Sequence, residues 1–362
     1  MLKLELRPRA LLSLWGGLSL LGGLTLVACS APSDTTPWSR SAPVFGEIPF
    51  NLTLYGTVDE TLFDGALEKL TTLDKELSMW DRPYVTDVMR LHDAAGLKAV
   101  QVSADTMTVI RRGLEVAKDT GGALDIAIGP LVKAWGIATD HPREPAASEI
   151  AALLPISHWQ DVEVGNEPAG KPGTVKLAKA GMVVDLGGIA KGYAADLVAA
   201  YLVGRGVKSA IVDIGGNILV LGNKPDGKQF RIGIQDPLSD NRGTYLGVAS
   251  ITNQSLVTSG TYERRFTDPK TGKTWHHILD PVTGYPANNE LDSVSIIGDK
   301  SIDCDAYAKV FVMGLKKGWE FLKTHPELQG IFITTDKRVF VTPGLASHFS
   351  LTNKDYQMVD QP

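Results

Sequence analysis

The sequence predicts an α+β fold, and two observations carry that reading. Helical and strand-like patterns alternate along much of the chain, yet several strands run consecutively from residue 210 to 260. Unbroken alternation would instead favour a doubly wound parallel sheet. With 362 residues, 43% of them hydrophobic, the chain can bury a large core.

The elements follow in order. Asn51-Leu52-Thr53-Leu54-Tyr55 alternates like a strand. From Thr61 to Leu77, apolar side chains at Leu62, Phe63, Ala66, Leu67, Leu70, Leu73 and Leu77 recur at helical spacing. A second helix spans Met107 to Thr120 and stops before Gly121-Gly122. A short helix covers Pro130 to Trp135, and residues 139–180, rich in Pro and Gly, form a variable subregion with scattered strands. Met182-Val183-Val184 reads as a short strand feeding Asp185, and Ile189 to Val203 as a strong helix. Ala210-Ile211-Val212 is a buried strand, followed by strands at Phe230 to Ile234, Thr244 to Ile251 and Leu256 to Ser259. One long helix is expected from Asp305 to Leu322, then a hairpin of Ile331 to Thr334 and Val339 to Thr342 around Asp336-Lys337.

The N-terminus reads as a targeting segment. Lys3, Arg7 and Arg9 precede an apolar run from Leu11 to Val27, and Leu26-Val27-Ala28-Cys29 has the form of a lipobox. Residues 1–28 are therefore expected to be an export signal, with Cys29 lipid-modified and the protein held on a membrane outside the cytoplasm, on the periplasmic side. Residues 29–48, with Pro32, Pro37 and Pro43 among Ser and Thr, are expected to be a tether. The folded domain is placed at 49–350 and a C-terminal tail at 351–362. With Cys29 lipidated, Cys304 has no partner for a disulfide and reads as a small buried apolar residue. Net charge is −5 with both signs mixed, so nucleic acid is not an expected partner.

Four stretches carry chemistry. Asp185-Leu186-Gly187-Gly188-Ile189-Ala190-Lys191 is a turn opening a helix, where backbone N–H groups and a lysine suit a phosphate; a plain turn with Asp185 as N-cap is the alternative. His277, three residues before Asp280 in a tight turn, is a candidate general base or a packed structural imidazole. Asp305 is a hard-metal ligand, a helix-terminus carboxylate, or half of an ion pair with Lys309. Gly121 to Gly136, taken alone, reads as a buried connection.

Taken together, Gly122-Ala123-Leu124-Asp125-Ile126, Asp185 to Tyr193, His277 to Pro286 and Asp305-Ala306-Tyr307-Ala308-Lys309 resemble, in order, the signatures of the ApbE-type flavin transferases. The resemblance spans roughly residues 50–345. It implies a single large ApbE-like (T-fold-like) domain of mixed and antiparallel sheets with packed helices. It further implies transfer of FMN from FAD to a threonine of an acceptor protein, with release of AMP. The expected acceptor is a flavin-bearing subunit of a membrane electron-transport complex. Carried over residue by residue, Tyr55 and Trp80 would contact the flavin. Ala123, Leu124, Asp125, Asp185, Lys191 and Ile278 would contact FAD. Gly188, through its carbonyl, and Asp305 would hold Mg²⁺. His277 would take the hydroxyl proton, with Lys191 neutralising charge. One position departs: four residues after Asp305, where the family normally has a metal-binding threonine, stands Lys309. An ammonium cannot ligate a metal; it either neutralises the pyrophosphate or pairs with Asp305 and shuts the metal site. A FAD-binding lipoprotein without transferase activity, or a hydrolase giving FMN and AMP, are the rival expectations.

Overall fold

The structure is a computed structural model, and it describes residues 36–56, 59–137 and 139–362. The expected export signal and Cys29 lie outside these residues. A nine-stranded sheet organises the rest. Its strands are β1 (Trp38–Val44), β2 (Ile48–Leu54), β3 (Ala210–Ile214), β4 (Asn217–Leu221), β5 (Ser255–Gly260), β6 (Leu291–Gly298), β7 (Gln329–Thr334), β8 (Arg338–Val341) and β9 (Gln357–Val359). Spatial order follows chain order, and each neighbouring pair is antiparallel except β8 with β9.

Alternate side chains of this sheet face two different cores, as the two-residue period of a strand requires. Val257, Ile296 and Phe332 point into the larger core, against the helices. Leu256, Ile297, Ile331 and Ile333 point the other way, against a three-stranded sheet of Phe230–Gln235, Tyr245–Ile251 and Phe349–Leu351. The expected α+β class is what the chain adopts.

Two helices cover the β2–β3 region. In α1 (Thr61–Leu77) the buried residues are Leu62, Phe63, Ala66, Leu70, Leu73 and Leu77, the face read from the sequence. The second, α2 (Ala190–Gly204), starts beside the turn between β3 and β4 and crosses α3 (Ser301–Tyr307). Asp196 of α2 caps α3 from outside: the Ser301 and Ile302 N–H groups donate to its two oxygens at 2.8 and 2.9 Å. Burial pushes this carboxyl up to about 6, against the pull of those two hydrogen bonds.

Several expectations are corrected. The tether expected over 29–48 includes β1, an ordered edge strand paired along its length with β2. The tail expected over 351–362 carries β9 and the buried Tyr356, whose hydroxyl donates to Asp236 at 2.6 Å. Met182 to Val184 is no strand; Val183 makes only a single bridge with Ile128. The expected helix over 305–322 is broken. It becomes α3, a 3₁₀ turn over Ala308–Met313, and α4 (Leu315–Lys323), separated at Gly314, whose φ of 76° no α-helix accommodates. Cys304 is free and buried, as expected.

The α2–α3 crossing rests on Gly192, where a Cβ would run into the backbone carbonyl of Ser301. Backbone cannot give way as a flexible side chain would. Gly192→Ala is therefore expected to cost about 3 kcal/mol in chemical denaturation. Gly204→Ala, at the open end of the same helix where a Cβ meets nothing within 4 Å, should be neutral or stabilising by up to about 1 kcal/mol. Equal losses at both positions would contradict this packing.

Candidate active site

Strand polarity decides which residues meet. β2, α1, α2 and β3 run back and forth, so the β1–β2 turn, the end of α1, the start of α2 and the β3–β4 turn share one end of the sheet. Gly215 in the β3–β4 turn lies against Ile48 and near the Lys191 side chain. Gly46 in the β1–β2 turn lies against Arg82, in the loop that follows α1 and carries the half-buried Trp80.

At this end Asp305 is buried, with 2% of its side chain exposed. Its Oδ2 accepts from the Gly192 N–H at 3.0 Å. Lys191 Nζ stands 3.5 Å from both carboxylate oxygens and donates to the Gly187 carbonyl at 3.2 Å. Lys309 Nζ lies 4.0 Å from Oδ1 and donates to Ser259 Oγ and to the Asp305 carbonyl, each at 3.2 Å. Burial acts to raise the Asp305 carboxyl, but Lys191, then Lys309, the Gly192 N–H and Asn217 together more than offset it and hold it below the usual carboxylate value. Burial pushes the Lys309 ammonium down to about 8, against the attraction of Asp305.

The turn before α2 is built from its own backbone. Asp185 accepts from the Gly187 N–H at 2.8 Å, and its N–H donates to Ile126, which fixes the turn beside the 124–128 segment. The Ile189 and Ala190 N–H groups are taken by Leu186, so Asp185 is not the N-cap. Among the described residues no acceptor pairs with the N–H groups of Gly188 or Lys191. Two open donors and two ammonium groups beside a helix start suit a phosphate. Burial raises the Asp185 carboxyl, while Gly187, Lys191, Lys309 and Arg264 act in the opposite direction.

His277 stands near enough to Lys309 and Arg264 to respond to both charges. Its Nδ1 pairs with the Arg264 carbonyl at 3.3 Å, which assigns that nitrogen the proton and leaves Nε2 a lone pair. Burial, then Lys309 and Arg264, drive its pKa down to about 3, so the ring is neutral at pH 7. Asp280 does not pair with it. That carboxylate builds its own turn, accepting from the Val282 N–H at 2.9 Å and the Thr283 hydroxyl at 3.2 Å. His276 is structural: Nε2 donates to Ala287 and Nδ1 accepts from Ile278.

Most residues singled out in the sequence converge here, with corrections. Leu124 packs over Gly188, 3.4 Å from where a Cβ would stand, and half-buried Ala123 precedes it. The Asp125 carboxylate accepts from the Ala127 and Trp159 N–H groups, so it organises the segment. Ile278 is buried with both backbone groups paired, and it positions His277 instead of presenting itself. Tyr55 is in the wrong place: it follows the other end of β2, with its ring against Phe230 in the second core. Phe45 takes the matching place at the correct end, in the β1–β2 turn, in a left-handed conformation (φ 51°) rare for a side chain of its size. The sequence reading gave no role to Arg264, Ser259 or Asn217; the buried Asn217 side chain acts on the Asp305 carboxylate and helps hold its pKa down.

The Mg²⁺ expected at Gly188 and Asp305 does not fit these residues. Lys309 lies over Gly188, its Nζ 3.7 Å from a Cβ built there, and it already faces the Asp305 carboxylate. A dication within about 4 Å of that ammonium would be repelled by about 8 kcal/mol at an effective dielectric near 20.

Comparison with known proteins agrees with the geometry. A model of the ApbE family matches residues 47–332. A FAD:protein FMN transferase of Klebsiella pneumoniae (strain 342) is 35% identical over 329 residues, covering 91% of this chain and 99% of that protein. One from Treponema pallidum (strain Nichols) is 34% identical over 330 residues, covering 88% and 90%. Among solved structures, the flavin transferase ApbE from Vibrio cholerae superposes with a TM-score of 0.75 at 26% identity, covering 86% of this chain and 99% of that one. With its signature residues gathered at one end of one sheet, this chain belongs to the ApbE family.

Proposed function

We propose that the protein transfers FMN from FAD to a threonine hydroxyl of an acceptor protein, releasing AMP. The observation that carries this is two ammonium groups and two open backbone N–H groups gathered at one helix start, with a neutral imidazole near enough to Lys309 to respond to its charge. Positioning, charge neutralisation and a proton acceptor are among the parts that phosphoryl transfer uses. In this reading the diphosphate lies against Gly188, Lys191 and Lys309, and the flavin extends toward Trp80 and the β1–β2 turn at Phe45. The threonine oxygen forms a bond to the FMN phosphorus as the bond from that phosphorus to the AMP oxygen breaks. The hydroxyl proton passes to His277 Nε2. No step is routed through a metal ion.

The low pKa of His277 has a kinetic consequence. Burial depresses it most, then Lys309 and Arg264. The acid limb of kcat/KM, which reports the free enzyme, is therefore expected well below 6.5. An acid limb at or above 6.5 would contradict the assignment. Incubating the protein with FAD and an acceptor bearing the target threonine should add one FMN per acceptor by mass spectrometry. His277→Ala should slow this by about 10² to 10⁴-fold. FAD consumed to FMN and AMP with no gain on the acceptor would identify a hydrolase instead.

We further infer an extracytoplasmic, lipid-anchored enzyme from the lipobox-like segment, and, from the family resemblance, an acceptor that is a flavin-bearing subunit of a membrane electron-transport complex. Cys29→Ser should move the protein from the membrane fraction to the soluble one. Unchanged fractionation would remove the lipid anchor from the account.

A further inference from the structure

We propose that Lys309 is a built-in cation at the diphosphate site, so that this protein binds FAD without a divalent metal. The inference rests on the FAD-binding reading above and goes beyond it. Its basis is where the ammonium sits and what it touches. Nζ is fixed by two acceptors, Ser259 Oγ at the end of β5 and the Asp305 carbonyl in α3. An ammonium has three donors, so one N–H remains for a ligand oxygen. The side chain keeps 18% of its surface exposed, against 2% for the Asp305 side chain behind it. Part of the lysine side chain is therefore open while its counter-ion is sealed beneath.

The surroundings suit an ammonium better than a dication. Magnesium needs about six oxygens in octahedral array at about 2.1 Å. Here a single carboxylate is shared between Lys191, Lys309, the Gly192 N–H and the Asn217 side chain. A diphosphate laid along Gly188 would meet Lys191 at the helix start and Lys309 above the glycine, one ammonium on each side of Asp305. Lysine binds phosphate as a point charge and needs no fixed ligand count. The pair thus supplies the positive charge that a metal would otherwise bring.

The test is FAD affinity by flavin fluorescence in EDTA and in millimolar Mg²⁺, with Mn²⁺ binding followed by electron paramagnetic resonance. The wild-type affinity is expected to differ by less than about threefold between the two buffers, with no Mn²⁺ bound. Lys309→Met should weaken FAD about tenfold or more in both buffers. Lys309→Thr, which frees the carboxylate, should acquire Mn²⁺ binding. Loss of about tenfold in affinity by the wild type in EDTA alone, or tight Mn²⁺ binding by it, would overturn the lysine's role and leave the FAD reading intact. So would a folded Lys309→Thr protein that binds no Mn²⁺. Failure to bind FAD in either buffer would sink the FAD reading itself, and this proposal with it.

Discussion

The buried carboxylate of Asp305 is the constraint on which the rest depends. An isolated carboxylate so deeply enclosed would cost several kcal/mol in desolvation. Lys191, Lys309 and the Gly192 N–H offset that cost, and in doing so they fix the geometry of the cleft. Lys191 is held at the first turn of α2 and Lys309 over Gly188. The carboxylate thus works from behind, as the counter-charge of two ammonium groups. Both lysine side chains retain some exposure, 25% and 18%, against 2% for the carboxylate.

The scaffold is arranged to deliver those groups to one place. The antiparallel order of the sheet brings the ends of β1, β3 and β5 to one end of the sheet, although they lie far apart in sequence. The crossing of α2 with α3 sets Gly192 against Ser301 and so brings Asp305 within reach of a backbone N–H. Asp196 completes the arrangement by satisfying the first N–H groups of α3. Small residues and caps here serve to hold two helices close enough for one carboxylate to reach both lysines.

What could be read from the sequence followed physical lines. The α1 face was legible because helical periodicity is local. The turn at Asp185 to Lys191 was legible because glycines and a lysine beside a helix start limit what a segment can do. β6 was not, since a strand buried on both faces loses the alternation that marks a half-exposed one, and Ser293 and Ser295 interrupt its apolar run. β1 was hidden by Pro43, which an edge strand tolerates but which composition alone reads as linker. Tyr55 was misplaced because nothing local records which end of a strand faces a site. Arg264, Ser259 and Asn217 arrive through long-range pairing, which a single sequence does not encode. Lys309 was noticed as a departure, but only its contacts with Ser259 and the Asp305 carbonyl give the departure a direction.

A crystal structure of the FAD complex tests the central claim most directly. The account predicts the diphosphate between Lys191 and Lys309, with an oxygen accepting from the Gly188 N–H and His277 Nε2 facing the phosphorus of the FMN half. A diphosphate bound on another face, with Lys191 and Lys309 still turned only toward Asp305, would contradict it.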